Sequence, residues 1–168
     1  MSETADLKTE LGRRLKGNVL LIGTGNTLRG DDGIGPALIA LLEGKVNASL
    51  LDAGEVPESY FSSILAAQAD TIVVIDAADF KAAPGDLAIL ETGEIAGCHT
   101  STHQMPLDLF FRFLKRSSLA DMFVLGIQPA QIGFGEPMSP AVADSVHALA
   151  ELLQDLLPGT IKEKQVNQ

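Results

Sequence analysis

Cysteine occurs once in the 168 residues, at Cys98. A single thiol excludes an intrachain disulfide and any cysteine-based zinc cluster. Positive charge is also scarce, with 12 Lys and Arg against 22 Asp and Glu, for a net charge of −10 and a pI near 4.6. The first 16 residues hold four of those bases and only three of the acids, so the remainder is more acidic still. A body of that sign repels DNA, RNA and anionic lipid, which argues against nucleic-acid and membrane-surface partners. No apolar run approaches the length of a membrane span. The charged N-terminus lacks the apolar segment of a secretory signal. These absences lead us to expect a cytoplasmic protein.

A hydrophobic content of 46% suits one globular domain with a substantial core. We expect residues 1–168 to form a single domain, with a core over about 17–157, an N-terminal helix within 1–16 and a polar tail at 159–168. Leu7, Leu11 and Leu15 recur every four residues, and Gly17 stands where that helix would stop. Residues 19–22 and 72–75 are unbroken apolar runs, the pattern of parallel strands buried on both faces. Further strands are read at 48–51, 87–90 and 123–127, and helices behind Pro36, Pro57, Pro106 and Pro140, where a missing N–H costs least. Only about ten residues separate the strand ending at 75 from the one starting at 87. That is short for a parallel crossover, so the 87–90 strand should run antiparallel at or near an edge. The resulting fold is an α/β class, three-layer α/β/α sandwich with a mostly parallel five-stranded sheet and one antiparallel strand.

The most informative segment is the turn Gly23-Thr24-Gly25-Asn26-Thr27-Leu28-Arg29-Gly30-Asp31-Asp32-Gly33-Ile34-Gly35. It follows the first strand and precedes a helix, the place where open α/β sheets put their ligand sites. Leu28 stands where a dinucleotide fingerprint needs its third glycine, and Asp31 and Asp32 would confront a pyrophosphate. A nucleotide-binding, flavodoxin-like domain is therefore disfavoured. The paired acids point instead to a cation or to acid–base chemistry on a peptide. There is no Gly-x-Ser-x-Gly nucleophile elbow. Cys98 beside His99 or His103 is a poor thiol-protease pair, because a free cysteine more often fills apolar space.

In the expected fold the carboxyl ends of the strands share one rim. Asp31 and Asp32 arrive there from the first strand, Asp52 from the second and Asp76 from the third, with His103 in the polar run 98–104. Two carboxylates and an imidazole suit a divalent first-row cation, or equally a water handled by a general base and acid. Each residue also has a plainer use. Asp32 could cap the following helix, Asp76 could bond loop amides at a strand end, and His103 could be a surface histidine. Convergence of Asp32, Asp76 and His103 on one rim favours a site. His99 and His147 have no evident site partners.

The chain resembles the nickel–iron hydrogenase maturation endopeptidases. The resemblance rests on the Gly23–Gly35 turn, on Asp52-Ala53-Gly54 with Pro57-Glu58, on Val74-Ile75-Asp76-Ala77, on Ser101-Thr102-His103-Gln104-Met105-Pro106-Leu107, and on Leu125-Gly126-Ile127-Gln128-Pro129. The last two segments look most like the branch that processes the large subunit of the formate-hydrogenlyase hydrogenase. The resemblance implies an aspartyl-type endopeptidase that removes a C-terminal extension from a [NiFe]-hydrogenase large-subunit precursor once nickel is in place. By motif position it places both the catalytic and the metal-binding roles on Asp32, Asp76 and His103. Nickel would be carried in by the precursor, and a monomer would form a transient complex with it. The alternative is a non-catalytic nickel-binding assembly chaperone using the same residues. Two departures stand out. Ala53 replaces a glycine common at that position, and the position of Asp32 is glutamate in some relatives.

Overall fold

Three hydrophobic segments form the centre of the sheet, and each is buried on both faces. In the computed structural model, which describes residues 3–100 and 105–159, these are β1 (Val19–Thr24), β3 (Thr71–Asp79) and β6 (Asp121–Ile127). They alternate their side chains between two separate cores. Leu21, Val73, Ile75, Phe123 and Leu125 join one core, while Leu20, Ile22, Ile72, Val74 and Val124 join the other. That period of two is the pleat itself.

The first core is closed by α1 (Glu3–Arg14), α2 (Ile34–Leu42) and α6 (Pro140–Leu156). The second is closed by α3 (Phe61–Ala66), α4 (Thr92–Ile95) and α5 (Leu107–Ser117). Helix α5 contributes Leu107, Phe110, Phe111 and Leu114, an apolar stripe at helical spacing. Removing one of its fully buried rings, as in Phe111→Ala, is expected to cost about 3–5 kcal/mol. Two prolines open helical segments as anticipated, Pro57 and Pro140. Pro106 is instead the N-cap of α5, and Pro36 is the third residue of α2.

With β2 (Ser49–Gly54), β4 (Leu87–Leu90) and the two-residue β5 (His99–Thr100), the sheet order is β2-β1-β3-β6-β4, and β5 pairs β3 off this path. Strands β2, β1, β3 and β6 are mutually parallel, and β4 is antiparallel to β6 at the edge. The chain therefore forms the expected mixed five-stranded α/β sheet. Its order reverses at β1, which has β2 on one side and β3 on the other. The crevice between the carboxyl ends of β1 and β3 is thus the topological switch point, where such sheets bind ligands.

Two sequence expectations need correction. The third strand does not stop at residue 75. It runs on to Asp79, because Ala77 pairs with Ile127 and Ala78 with Thr100. Asp52 likewise lies inside β2 and not at its end. No helix among the described residues is long and apolar enough to cross a membrane. The expected tail, apart from Gly159, lies outside the described residues.

Candidate active site

The glycine-rich turn owes its shape to contacts too close for side chains. A Cβ on Gly35 would lie 2.3 Å from the Thr24 carbonyl oxygen and 2.6 Å from that of Ile75. This approach presses the start of α2 onto the ends of β1 and β3. Gly25, at φ 129°, leaves room for the Asp32 carbonyl, which would stand 1.8 Å from an added Cβ. Within the turn the Asn26 side chain accepts from the Leu28 N–H at 2.8 Å, and the Arg29 N–H donates to the Asn26 carbonyl at 3.1 Å. The Gly25 N–H donates to the Gly54 carbonyl at 2.9 Å and so joins this turn to the end of β2.

The two adjacent acids have different surroundings. Asp31 is fully buried. Its carboxylate accepts the N–H groups of Ala130 (2.8 Å), Gln131 (3.0 Å) and Ser139 (2.7 Å), together with the Ser139 hydroxyl. It is an architectural residue that ties the turn to the loop between β6 and α6. The Asp32 carboxylate accepts the Asn26 N–H at 3.1 Å, a contact within its own turn. Gly33 is the N-cap of α2 and makes no side-chain cap bond, so Asp32 does not serve as that helix's cap. Asp32, also fully buried, stands directly beside the switch-point crevice.

Asp76 is fully buried too. It sits within β3, opposite Gly126 of β6, and so is not the strand-end residue that its sequence position suggests. By strand alternation it shares the sheet face of Val74 and Ala78, which α5 covers. The turn carrying Asp32 packs on β3, the strand that carries Asp76. His103 lies outside the described residues. Both of its flanks are described: β5 is held to Ala78 and Asp79 of β3, and α5 begins at Leu107. His99 pairs with Asp79 through the backbone, a role the sequence did not signal. His147 is exposed on α6.

Asp52 is exposed, and it accepts the Gly54 N–H at 3.1 Å in a local turn. Ala53 is buried with no positive φ, while Gly54 takes φ 55°. The alanine therefore fits this loop without strain. Among the described residues no three His, Cys, Asp or Glu side chains gather as a metal-binding group. Asp32 and Asp76 each carry a carboxylate, a hard oxygen ligand of the kind a divalent cation accepts.

At the carboxyl ends of β3 and β6 a cavity of about 240 Å³ is lined by Ala77, Asp79, Gln128, Pro129, Ala130, Gln131 and Ile132. The Lys81 ammonium, 2.8 Å from Asp79, is the main cause that holds the Asp79 carboxyl down at about 2, with the Lys81 N–H and the Gln128 amide adding to it. Outside the cavity the two loops meet where the Gly135 N–H donates to the Leu28 carbonyl at 2.8 Å. Leu28 is 61% exposed there and Phe134 76%, an apolar rim suited to a macromolecular substrate. The surroundings of Cys98 disfavour its thiolate. Burial, with Glu94 and Asp79 nearby, pushes its thiol up, whereas a reactive thiol is pushed down.

Comparison with known proteins identifies the family. The HycI hydrogenase maturation protease family profile matches residues 36–156. The hydrogenase 3 maturation protease of Escherichia coli K12 is 32% identical over 138 residues, which cover 80% of this chain and 88% of the relative. A putative hydrogenase maturation protease of Methanocaldococcus jannaschii is 34% identical over 153 residues, covering 82% and 89%. Among solved structures, the [NiFe] hydrogenase maturation protease HycI from Thermococcus kodakarensis KOD1 superposes with a TM-score of 0.80 at 31% identity, over 88% of this chain and 98% of that one. The chain belongs to the hydrogenase maturation protease family and is a peptidase of hydrogenase maturation.

Proposed function

We propose that this chain removes the C-terminal extension of a [NiFe]-hydrogenase large-subunit precursor, and that Asp32, Asp76 and His103 recognise the nickel already inserted in that precursor. The observation that carries the reading is the pair of fully buried carboxylates, Asp32 and Asp76, at the β1/β3 switch point. Their carboxylates are hard oxygen ligands of the kind that a divalent cation arriving with the substrate accepts. Nickel is part of the substrate in this reading. Docking therefore reads out whether the precursor has been loaded, through the oxygen ligands of Asp32 and Asp76 and the nitrogen of His103.

The chemistry is an aspartyl-type hydrolysis. A water beside the carboxylate pair gives its proton to one of them as its oxygen attacks the scissile carbonyl carbon. The C–N bond then breaks, and the proton passes to the departing amine. Neither a serine elbow in the sequence nor the raised thiol of Cys98 offers a competing nucleophile. The reaction is assigned to the cytoplasm, with the chain acting as a monomer in a transient complex. The acidic surface, at net charge −10, is consistent with a protein partner in preference to nucleic acid or an anionic membrane.

The test is mass spectrometry of the large-subunit precursor, with and without nickel, after incubation with catalytic amounts of this chain. Loss of one C-terminal peptide from the loaded form alone is the expected result. Stable binding without cleavage would identify an assembly chaperone instead.

A further inference from the structure

The Gly126-Ile127-Gln128-Pro129 segment is not accounted for by the carboxylate chemistry, yet its glutamine is among the most heavily bonded side chains near the site. Gln128 is buried. Its Oε1 accepts the N–H groups of Phe80 at 3.0 Å and Ala82 at 3.2 Å. Its Nε2 donates to the Asp79 carboxylate at 3.2 Å and to the Pro129 carbonyl at 3.4 Å. One side chain thus joins the two walls of the cavity, the end of β3 with its following turn and the loop leaving β6.

The turn it holds is strained. Lys81 takes φ 64°, a conformation that costs a non-glycine residue about 1–2 kcal/mol. External hydrogen bonds must therefore keep the 79–82 turn in place, and Gln128 supplies two of them. The same strand end carries β5 at Ala78 and Asp79. The opposite end of the loop wall is held independently, by Asp31 at Ala130 and Gln131.

Building on the proteolytic reading above, we propose that Gln128 is a positioning residue: it fixes the width of the cleft at the carboxyl ends of β3 and β6, so that a peptide segment of the precursor binds there in register. It touches no reacting atom. Its use depends on polarity, because it must accept from two N–H groups and donate to a carboxylate at once.

The test is a donor–acceptor swap in the full chain. Gln128→Glu sets two carboxylates against each other, whereas Gln128→Glu combined with Asp79→Asn restores one donor facing one acceptor while giving up the Asp79 contacts to Lys81. We expect Q128E to raise KM for the nickel-loaded precursor about tenfold with kcat within about twofold, and the double variant to return KM to within about threefold of wild type. Amide hydrogen exchange at Phe80 and Ala82 reads the clamp without any cleavage: Gln128→Leu should speed it about tenfold or more, and the double variant should restore protection. Unchanged exchange in Gln128→Leu, or a double variant no better than Q128E in KM, would overturn the assignment. A wild-type chain with protected amides that cuts no precursor would overturn the proteolytic reading and leave the clamp standing.

Discussion

Ser139 places both its N–H, at 2.7 Å, and its hydroxyl, at 2.9 and 3.0 Å, on the carboxylate of Asp31, which lies 108 residues earlier in the chain. This contact fastens the start of α6 to the turn that presents Asp32. It also separates the roles of two neighbouring acids that look alike in sequence.

Removing that carboxylate should be costly. Asp31→Ala takes the acceptor from the buried Ser139 N–H and from the part-buried N–H groups of Ala130 and Gln131. At about 1–3 kcal/mol for the buried group and less for the other two, the loss should be about 2–4 kcal/mol. Ser139→Ala removes only a hydroxyl donor and should cost about 1 kcal/mol. Urea unfolding of the two variants measures the contrast, and equal costs would contradict this partition.

Close packing at the turn makes a second prediction. Gly35→Ala forces a methyl into the Thr24 and Ile75 backbone, so it should destabilise by more than about 3 kcal/mol or prevent folding. The same change at Gly93, in α4 with open space around it, should be neutral or stabilise by up to about 1 kcal/mol. Thermal melts of both proteins decide it.

Arg14 sets the acid limb of stability. Its guanidinium bonds Asp121 at 2.6 Å, pairs with Glu91, and lies 4.0 Å from the centre of the Phe123 ring. The pairing holds the Asp121 carboxyl below its ordinary value of 3.8, and Asp79 is held at about 2. Depressed carboxylates contribute stability that is fully present above their unfolded values. It is lost as pH falls through the folded ones, here from about 4 toward about 2. Arg14→Met should lower stability at pH 7 by about 1–2 kcal/mol, the ion-pair share being discounted for the exposed acids. It should also flatten the acid limb below pH 4. An unchanged pH profile would contradict the role given to Arg14.

Much of this was legible in the sequence because burial leaves a strong pattern. The unbroken apolar stretches of β1 and β3 mark strands covered on both faces, and the short 80–86 connection marks β4 as antiparallel. The end of β3 was not legible. Asp76 reads as a polar stop, yet its neighbours Ala77 and Ala78 are buried and continue the ladder. Helix α4 is only four residues long and left a single trace, the reciprocal Glu91 and Glu94 capping pair. The two-residue β5 left none. Nor could local sequence tell Asp31 from Asp32, since the partners that make Asp31 architectural lie 99 to 108 residues away. Asp32 and Asp76 were singled out by their position at the strand ends and both are buried, and His103 lies outside the described residues.

In the proposed function the buried carboxylates of Asp32 and Asp76 perform the cleavage. The most direct measurement is the rate at which Asp76→Asn, beside wild type, releases the C-terminal peptide from nickel-loaded precursor, with the melting temperature of each recorded. The amide keeps the volume and removes the charge. The account predicts multiple turnovers by the wild type, a rate at least about 100-fold lower for the variant, and an undiminished melting temperature. Cleavage by the variant at the wild-type rate would contradict it.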